Sequence, residues 1–465
     1  MSQATRRTFL KHSAAFGAFV VAGTRASGPV FGANDRVCVG VAGLHGRGGA
    51  HIGSFEKIDG VQVTHLIDPD SRLFGRRANP LEKKHGAKPV CVQDIRKALD
   101  DKALHAVSVA TCNHWHSLIT VWACQAGKDV YVEKPCSHNV FEGRQCVRAA
   151  RKYKRMVQHG TQRRSGGHWR TLRDIAAGKR GRLQVVRGFS FKGRRGIGHK
   201  KTGPPPEGLD FNIWLGPAPR QPYHGNLVHY NWHWFWDTGN GDIGNYGVHA
   251  MDICRWTIPN ATFPTSVVSL GGRFKWDDQA ETPNVQFAIY DFGQTKLIFE
   301  VSNLKTRRGR PTTVFDQGAK AEPIEVQSPP DVKNPAGERG PGGNIFANFI
   351  ACVRSRKSED LDGHILEGHY SSALCHLGNV SYRLGKEVAF DKKAKSLGDD
   401  KQIVETWEWF RDTLKDNGLK LQETTYRLGR RLQLDPETEQ AVDDEEANRL
   451  LTRPYRAPFV VPEKV

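Results

Sequence analysis

The chain has 465 residues, 38% of them hydrophobic and 25% charged, with 68 Lys+Arg against 49 Asp+Glu and a net charge of +19. That apolar content is too high for a disordered chain, the 48 Gly follow no three-residue period and so exclude a collagen-like one, and the length allows two or three cored domains. A basic balance can serve a polyanion. Here the dense stretches, Arg151–Arg155, Arg163–Arg164, Lys179–Arg182 and Lys192–Lys201, are scattered and lie in no nucleic-acid module, so they read as solvated surface and no nucleic-acid partner is expected. The nine cysteines are odd in number and form no C-x-x-C. They read as small buried hydrophobes rather than disulfides or a zinc site, and no metal is expected.

Residues 1–33 read as an address. Thr5-Arg6-Arg7-Thr8-Phe9-Leu10-Lys11 is a twin-arginine pattern, followed by the apolar run Ala14–Gly23 and a small-x-Ala site at Thr24-Arg25-Ala26. The run is too short to cross about 30 Å of hydrocarbon, so no transmembrane segment is expected once the signal is removed. Twin-arginine signals are receptor-read export addresses, and the route carries folded proteins, which suits free thiols. The expected location is the periplasm or an equivalent compartment.

Residues 34–160 read as a dinucleotide-binding domain. Arg36–Ala42 is a buried strand; Gly43-Leu-His-Gly-Arg-Gly-Gly is a glycine-rich turn; a helical stretch runs from Ala50; a second strand, Val61–Ile67, ends at Asp68, 25 residues after Gly43. Glycines there let backbone N–H groups approach a pyrophosphate at a helix N-terminus, and the acid can bond the ribose hydroxyls. The fingerprint is imperfect. With Gly43 first and Gly48 third, the middle position is His45, with Gly46 and Arg47 after it. Asp68 favours NAD, since a carboxylate repels a 2′-phosphate, while Arg72, Arg76 and Arg77 just beyond keep NADP open. Alternation continues through Ile95–Leu99 (helix), Ala106–Ala110 (strand), Ser117–Ala126 (helix) and Asp129–Val132 (strand), the last running into Glu133-Lys134-Pro135.

Four stretches, GVAGLHGRGG (40–49), VSVATCNHWHS (107–117), AGKDVYVEKP (126–135) and GDIGNYGVHAMDICRW (241–256), resemble the Gfo/Idh/MocA oxidoreductases. The RPYRAPFVVP end (453–462) resembles their exported, twin-arginine subgroup of planctomycete type. The resemblance implies that Lys134 is the acid/base at a substrate hydroxyl, at the carboxyl end of a parallel strand where open α/β sheets bind ligands. Burial and a neighbouring positive nicotinamide would bring its ammonium toward the working range, and Pro135 makes a cis bond plausible there. The family's D-x-x-x-H signature places His249 at the His and Asn245 at the Asp. Asn orients a hydroxyl but accepts no proton at neutral pH, which throws more weight on Lys134 and His249. Thr111-Cys112-Asn113-His114-Trp115-His116 matches the family's T-P-x-x-x-H turn with Cys112 for Pro, making Thr111, Asn113, His116 and Glu133 candidates for the cofactor's neighbourhood.

Residues 161–395 read as an α+β substrate and oligomerisation domain with a mostly antiparallel open sheet, including strands at Arg182–Phe191, Val285–Tyr290 and Lys296–Val301. Residues 396–465 read as a C-terminal extension. Trp232, Trp234 and Trp236 alternate as in a strand burying one face, or they stack on a sugar; Trp232, His233, Trp234 and Asp237 join Asn245 and His249 as substrate candidates. Tyr382-Arg-Leu-Gly-Lys and Tyr426-Arg-Leu-Gly-Arg look like a local duplication. The function expected is NAD(P)-dependent hydride transfer at a hydroxyl of a sugar, sugar acid or cyclitol, with the cofactor held tightly and the chain a homodimer or tetramer on the second domain's sheet. The alternatives are a glycoside-cleaving or epimerising enzyme using transient oxidation, and a non-enzymatic sugar-binding protein of the same fold.

Overall fold

The computed structural model describes residues 36–165, 169–179, 181, 183–306, 313–316, 324–325, 344–390 and 397–465, so the stretch 1–33 expected to be an export signal lies outside the described residues. The first half alternates β1 (Val37–Ala42), α1 (Gly46–Phe55), β2 (Val61–Ile67), α2 (Phe74–His85), β3 (Val90–Val92), α3 (Ile95–Leu99), β4 (Ala106–Val109), α4 (Asn113–Gln125), β5 (Asp129–Val132), α5 (Val140–Lys152) and β6 (Val157–His159). Strands that read as continuous Val-rich runs are buried on both faces. They form one all-parallel six-stranded sheet in the order β3-β2-β1-β4-β5-β6. The order reverses beside β1, which opens a crevice at the carboxyl ends of β1 and β4.

The second half carries α6 (Trp169–Ala176), β7 (Val185–Phe191), α7 (Phe211–Leu215), α8 (Val248–Thr257), β8 (Ser266–Gly272), β9 (Val285–Asp291), β10 (Lys296–Ser302), β11 (Thr313–Asp316), β12 (Ile324–Glu325), α9 (Ile345–Ser355), α10 (Ile365–Arg383), β13 (Lys386–Ala389), α11 (Lys401–Asp416), β14 (Thr425–Leu428), β15 (Leu432–Asp435), β16 (Gln440–Ala441) and α12 (Glu445–Leu450). Its sheet runs β12-β11-β7-β10-β9-β8-β14-β13, with β15 also on β8 and β16 on β15. Pairing is antiparallel except for β7 with β10. The fold is α/β overall, a Rossmann-type sheet followed by a mixed, mostly antiparallel one.

Both faces of the second sheet are covered by this chain. Helices α8 and α10 pack one face through Met251, Ile253, Leu374 and Leu377. On the other, Ile403, Trp407, Phe410 and Leu414 of α11 meet Leu270, Phe274, Phe287 and Ile298 of the strands and the loop after β8. Burying each such side chain is worth about 1.5–3 kcal/mol. The last residues return to the first domain, where Phe459 packs on Trp115 and Trp122 of α4 at ring distances of 5.4 and 6.5 Å. The two Tyr-Arg-Leu-Gly stretches do not fold alike. Tyr382 closes helix α10, whereas Tyr426 lies in β14, and the strand after the first pairs with the second through Lys386↔Leu428. The likeness is of sequence only.

Candidate active site

At the sheet's switch point a cleft holds about 1250 Å³ of open space, its solvent-open mouth included, between the turns after β1, β2, β4 and β5 and the second domain's segment 213–245. The turn after β1 is set by two close approaches. Gly43 has φ +86°, and a Cβ there would meet the Ala110 carbonyl oxygen at 2.5 Å. A Cβ on Gly48 would fall 1.6 Å from the Gly43 carbonyl oxygen, so Gly48 serves strand–helix packing and lies outside the cleft lining. Helix α1 starts at Gly46, four residues before the expected Ala50, with nothing within 4 Å of a Cβ there. Its first-turn N–H groups lack intrahelical partners and carry the positive end of the helix dipole. A pyrophosphate fits this open backbone. His45 does not fill it: its ring stacks on His229 at 4.8 Å and 8°.

Asp68 lines the cleft with its oxygens braced by backbone, Leu44 N donating to Oδ2 at 2.7 Å and Asp70 N to Oδ1 at 2.9 Å. Burial pushes its carboxyl up to about 6, the two amides working against that rise. Two of the three neighbouring arginines are engaged elsewhere, and Arg76 is exposed. Arg72 is bidentate to Asp70, at 2.7 and 2.6 Å, and lies outside the cleft lining. Arg77 donates to the carbonyls of Leu44 and His45.

At the other end stands Lys134, preceded by Glu133 and followed by a cis Pro135. Glu133 is buried and fully committed. Its Oε1 accepts from Arg47 Nε at 2.6 Å and His51 Nε2 at 3.1 Å, and its Oε2 accepts from Lys134 N at 3.2 Å. Since the carboxylate only accepts, His51 carries its proton on Nε2, and Nδ1 accepts from Ser108 Oγ at 2.8 Å. Burial alone would raise the Glu133 carboxyl, but His51 and Arg47 hold it well below its ordinary range. Lys134 Nζ donates to the Asn245 carbonyl at 2.5 Å and to Asn245 Oδ1 at 3.1 Å. Burial draws the Lys134 ammonium below its ordinary value; Glu133 opposes this and Arg47 adds to it. The arrangement can take a proton from, or return one to, a hydroxyl placed between Lys134 and the cleft.

Residues 37–161 match the description "Oxidoreductase family, NAD-binding Rossmann fold", and residues 182–408 match "Oxidoreductase family, C-terminal alpha/beta domain". The chain belongs to the Gfo/Idh/MocA oxidoreductase family. A stretch of 154 residues is 32% identical to an inositol 2-dehydrogenase of Leifsonia xyli subsp. xyli, covering 32% of this chain and 43% of that protein. Another of 126 residues is 32% identical to a glycosyl hydrolase family 109 protein of Solibacter usitatus, covering 25% and 28%. The matched part is less than half of either relative. Among solved structures, the WlbA dehydrogenase from Bordetella pertussis in complex with NADH and UDP-GlcNAcA aligns with a TM-score of 0.54 at 17% identity, over 75% of this chain and 97% of that one. A levoglucosan dehydrogenase in complex with NADH aligns at 0.51 and 14%, over 74% and 96%. At such identities the likeness is one of fold.

Within this Gfo/Idh/MocA framework the cleft gathers Gly43, His45, Gly46, Arg47, Asp68, Thr111, Asn113, His116, Glu133, Lys134, Trp232, His233 and Asn245. It leaves out five residues expected there. Gly48 and Arg72 are accounted for above. Trp234 is buried beneath the Arg194 guanidinium, 4.7 Å from its ring, because 231–234 wind as a 3-10 turn rather than a strand. Asp237 faces a separate crevice and an arginine of the C-terminal tail, Arg453, at 3.8 Å. His249, half-buried on α8, keeps Nδ1 buried and unpartnered among the described residues and lies within electrostatic reach of Lys134. His116 does line the cleft, but its ring nitrogens face the carbonyls of Pro135 and Thr111 at 2.6 and 3.0 Å. It ties two turns together rather than reaching a ligand. Helix α4 begins at Asn113, four residues before the expected Ser117, which puts that tie in its first turn. Sequence reasoning missed His229, Tyr230, Gln93 and Trp115, all cleft-lining. His229 and Tyr230 sit in an aromatic-rich stretch that could have flagged them; Gln93 has no local signal.

Proposed function

We propose that this protein oxidises a hydroxyl of a sugar, sugar acid or cyclitol with NAD, using Lys134 as the acid/base. The observation that carries the reading is the Lys134 ammonium, hydrogen-bonded to Asn245 and drawn below its ordinary pKa by burial, at the end of a cleft whose other end is an open glycine turn and a braced Asp68. When bound there, NAD supplies the hydride acceptor and the protein supplies orientation and electrostatics. Asn245 and His233 border the place of the reacting hydroxyl, and Trp232 offers an aromatic wall. NAD is favoured over NADP because a 2′-phosphate would face Asp68, with Arg72 committed to Asp70 and Arg77 to carbonyls, although Arg76 stays exposed beside them.

A second reading, redox-neutral chemistry by transient oxidation, is favoured by a strap across the cleft. Asp70 bridges Leu209, Ser71 N donates to the Gly208 carbonyl at 2.9 Å, and His229 bonds Asp70 at 2.8 Å. A cofactor under such a strap stays with the protein between turnovers, as an enzyme exported by the residue 1–33 signal to the periplasm would need. The glycosyl hydrolase family 109 relatives fit the same idea. The experiment is to denature the purified protein and identify released dinucleotide, then to follow a sugar panel for both NADH absorbance and product. Stoichiometric NAD with NADH formed supports the first reading; product without NADH supports the second. An empty protein that binds no added NAD(P) overturns both.

A further inference from the structure

The family signature expects an acid four residues before His249, and that position is Asn245. A carboxylate nevertheless belongs to the same cluster. Residues Ile243–Gly247 wind as a π-helical turn, and Asp242 at its entry is buried against the side chain three residues on. Asn245 Nδ2 donates to Asp242 Oδ1 at 3.3 Å. The same carboxylate accepts from Arg194 Nε and Nη2, both at 2.9 Å, and from the Asn303 amide. An ionised carboxylate accepts only, so the NH2 half of the Asn245 amide must face it and the oxygen must face away. There Lys134 donates to that oxygen. At its other end Arg194 donates to the Tyr230 hydroxyl at 2.8 Å, and Tyr230 lines the cleft.

We propose that Asp242 is a positioning residue for the Lys134 site, turning the Asn245 oxygen toward the ammonium and, through Arg194, setting Tyr230 at the substrate. It restores, three residues earlier in the chain, the negative charge that Asn at the signature position withholds. The inference rests on the reading of Lys134 as the acid/base. The groups facing Lys134 are Glu133 and Asp242, Arg47 and Arg194, the rings of His116, His233 and His249, whose pKa values burial lowers, and the buried Cys375 thiol. Glu133 is spoken for by Arg47 and His51. Deleting the Asp242 charge therefore leaves the Arg194 cation uncompensated near Lys134, and the ammonium should give up its proton at lower pH. A carboxylate at position 245 should do the reverse.

The test needs no substrate. The full-length protein is labelled with acetic anhydride across a pH series, and acetylation of Lys134 is read by peptide mass against an exposed lysine of the same digest. An opposite charge within about 4–6 Å shifts a pKa by about 1–3 units. Asp242→Asn should lower the Lys134 midpoint by about 1 unit, Asn245→Asp should raise it by about 1–2, and the double variant should fall between them. Should Asp242→Asn not fold, Arg194→Gln replaces it, stripping the counter-ion from Asp242 and raising the midpoint. An unmoved midpoint in Asp242→Asn, or in Arg194→Gln, overturns the proposal. Failure of the hydride-transfer reading would show instead in the nucleotide content, which this labelling does not touch.

Discussion

The two ends of the cleft are built differently. The cofactor end is mostly local: Gly43, Leu44, Gly46 and Gly48 lie within one turn, and Asp68, which accepts from Leu44 N, follows 24 residues on. The reaction end is assembled across the chain, with Lys134 on the turn after β5, Asn245 and Asp242 on a π-helical turn, and Arg194 after β7. A contiguous end depends on backbone geometry, so it fails by steric exclusion. An assembled end depends on charges meeting at a distance, so it fails by desolvated, unpaired groups. The strongest way to separate the two is Lys134→Met. General acid–base catalysis contributes about 10²–10⁴-fold, so turnover should fall by that factor while dinucleotide content stays stoichiometric. Loss of both together would mean that the ends are not independent.

The same contrast explains what could be read beforehand. The β1–turn–α1–β2–Asp68 unit was legible because hydrophobic runs and glycines at fixed spacing dictate it locally. Lys134, Asn245 and His249 were legible only through a resemblance, and even so His249 is not among the residues that line the cleft. Arg194 carries no local mark. It looked like one more cation in the basic stretch 192–201, and only the fold brings Asp242 to it. The tryptophan stretch misled because alternation at Trp232, Trp234 and Trp236 satisfies a strand, whereas the chain there turns as a 3-10 helix and points Trp232 and Trp234 to different neighbours. The short helix starts at Gly46 and Asn113 were missed because apolar periodicity begins a turn after the helix does.

Behind the assembled end, α8 is held to α10 by a buried cluster. Arg164 donates to Asp252 at 2.8 Å, Ser371 Oγ to Asp252 at 2.6 Å, and Arg255 contacts Glu367. Burial would raise the Asp252 carboxyl, but Arg164 outweighs it and holds it at about 2 against 3.8. A folded-state value below the unfolded one stabilises at higher pH. The contribution, about 2 kcal/mol, is fully present above about pH 4 and is lost as the pH falls toward 2. Asp252→Asn should cost about 3–5 kcal/mol at pH 7 by leaving Arg164 without its main counter-ion, and the acid-side fall in stability should flatten. Urea unfolding at pH 7 and pH 3 measures both. An equal loss at the two values would contradict the charge account.

At the contiguous end the matching change is Gly48→Ala. Its Cβ would overlap a backbone oxygen, which no side-chain rotation relieves, so α1 must move off β1. Such overpacking costs about 1–3 kcal/mol. Dinucleotide affinity should fall with stability while the Lys134 labelling midpoint stays where it is, and calorimetric titration with NAD after stripping the protein would check it. A shifted midpoint with unchanged affinity would erase the distinction between the ends.

The smallest expected effect tests what joins them. His229 comes from the second domain, stacks on His45 of the glycine turn and bonds Asp70 beside the braced Asp68. It thus closes the cofactor end with a residue that the contiguous motif does not contain. A ring pair is worth about 0.5–1.5 kcal/mol beyond burial, and the hydrogen bond to the buried Asp70 adds about 0.5–1.5 kcal/mol. His229→Ala should then release bound dinucleotide roughly tenfold faster, with a single-turnover hydride-transfer rate unchanged, since Lys134 and Asn245 are untouched. Exchange of the bound dinucleotide against an isotopically labelled excess measures the release directly. An unchanged release rate would mean that the strap lies over the cleft without holding its contents, and retention of the cofactor would then have to come from the glycine turn and Asp68 alone.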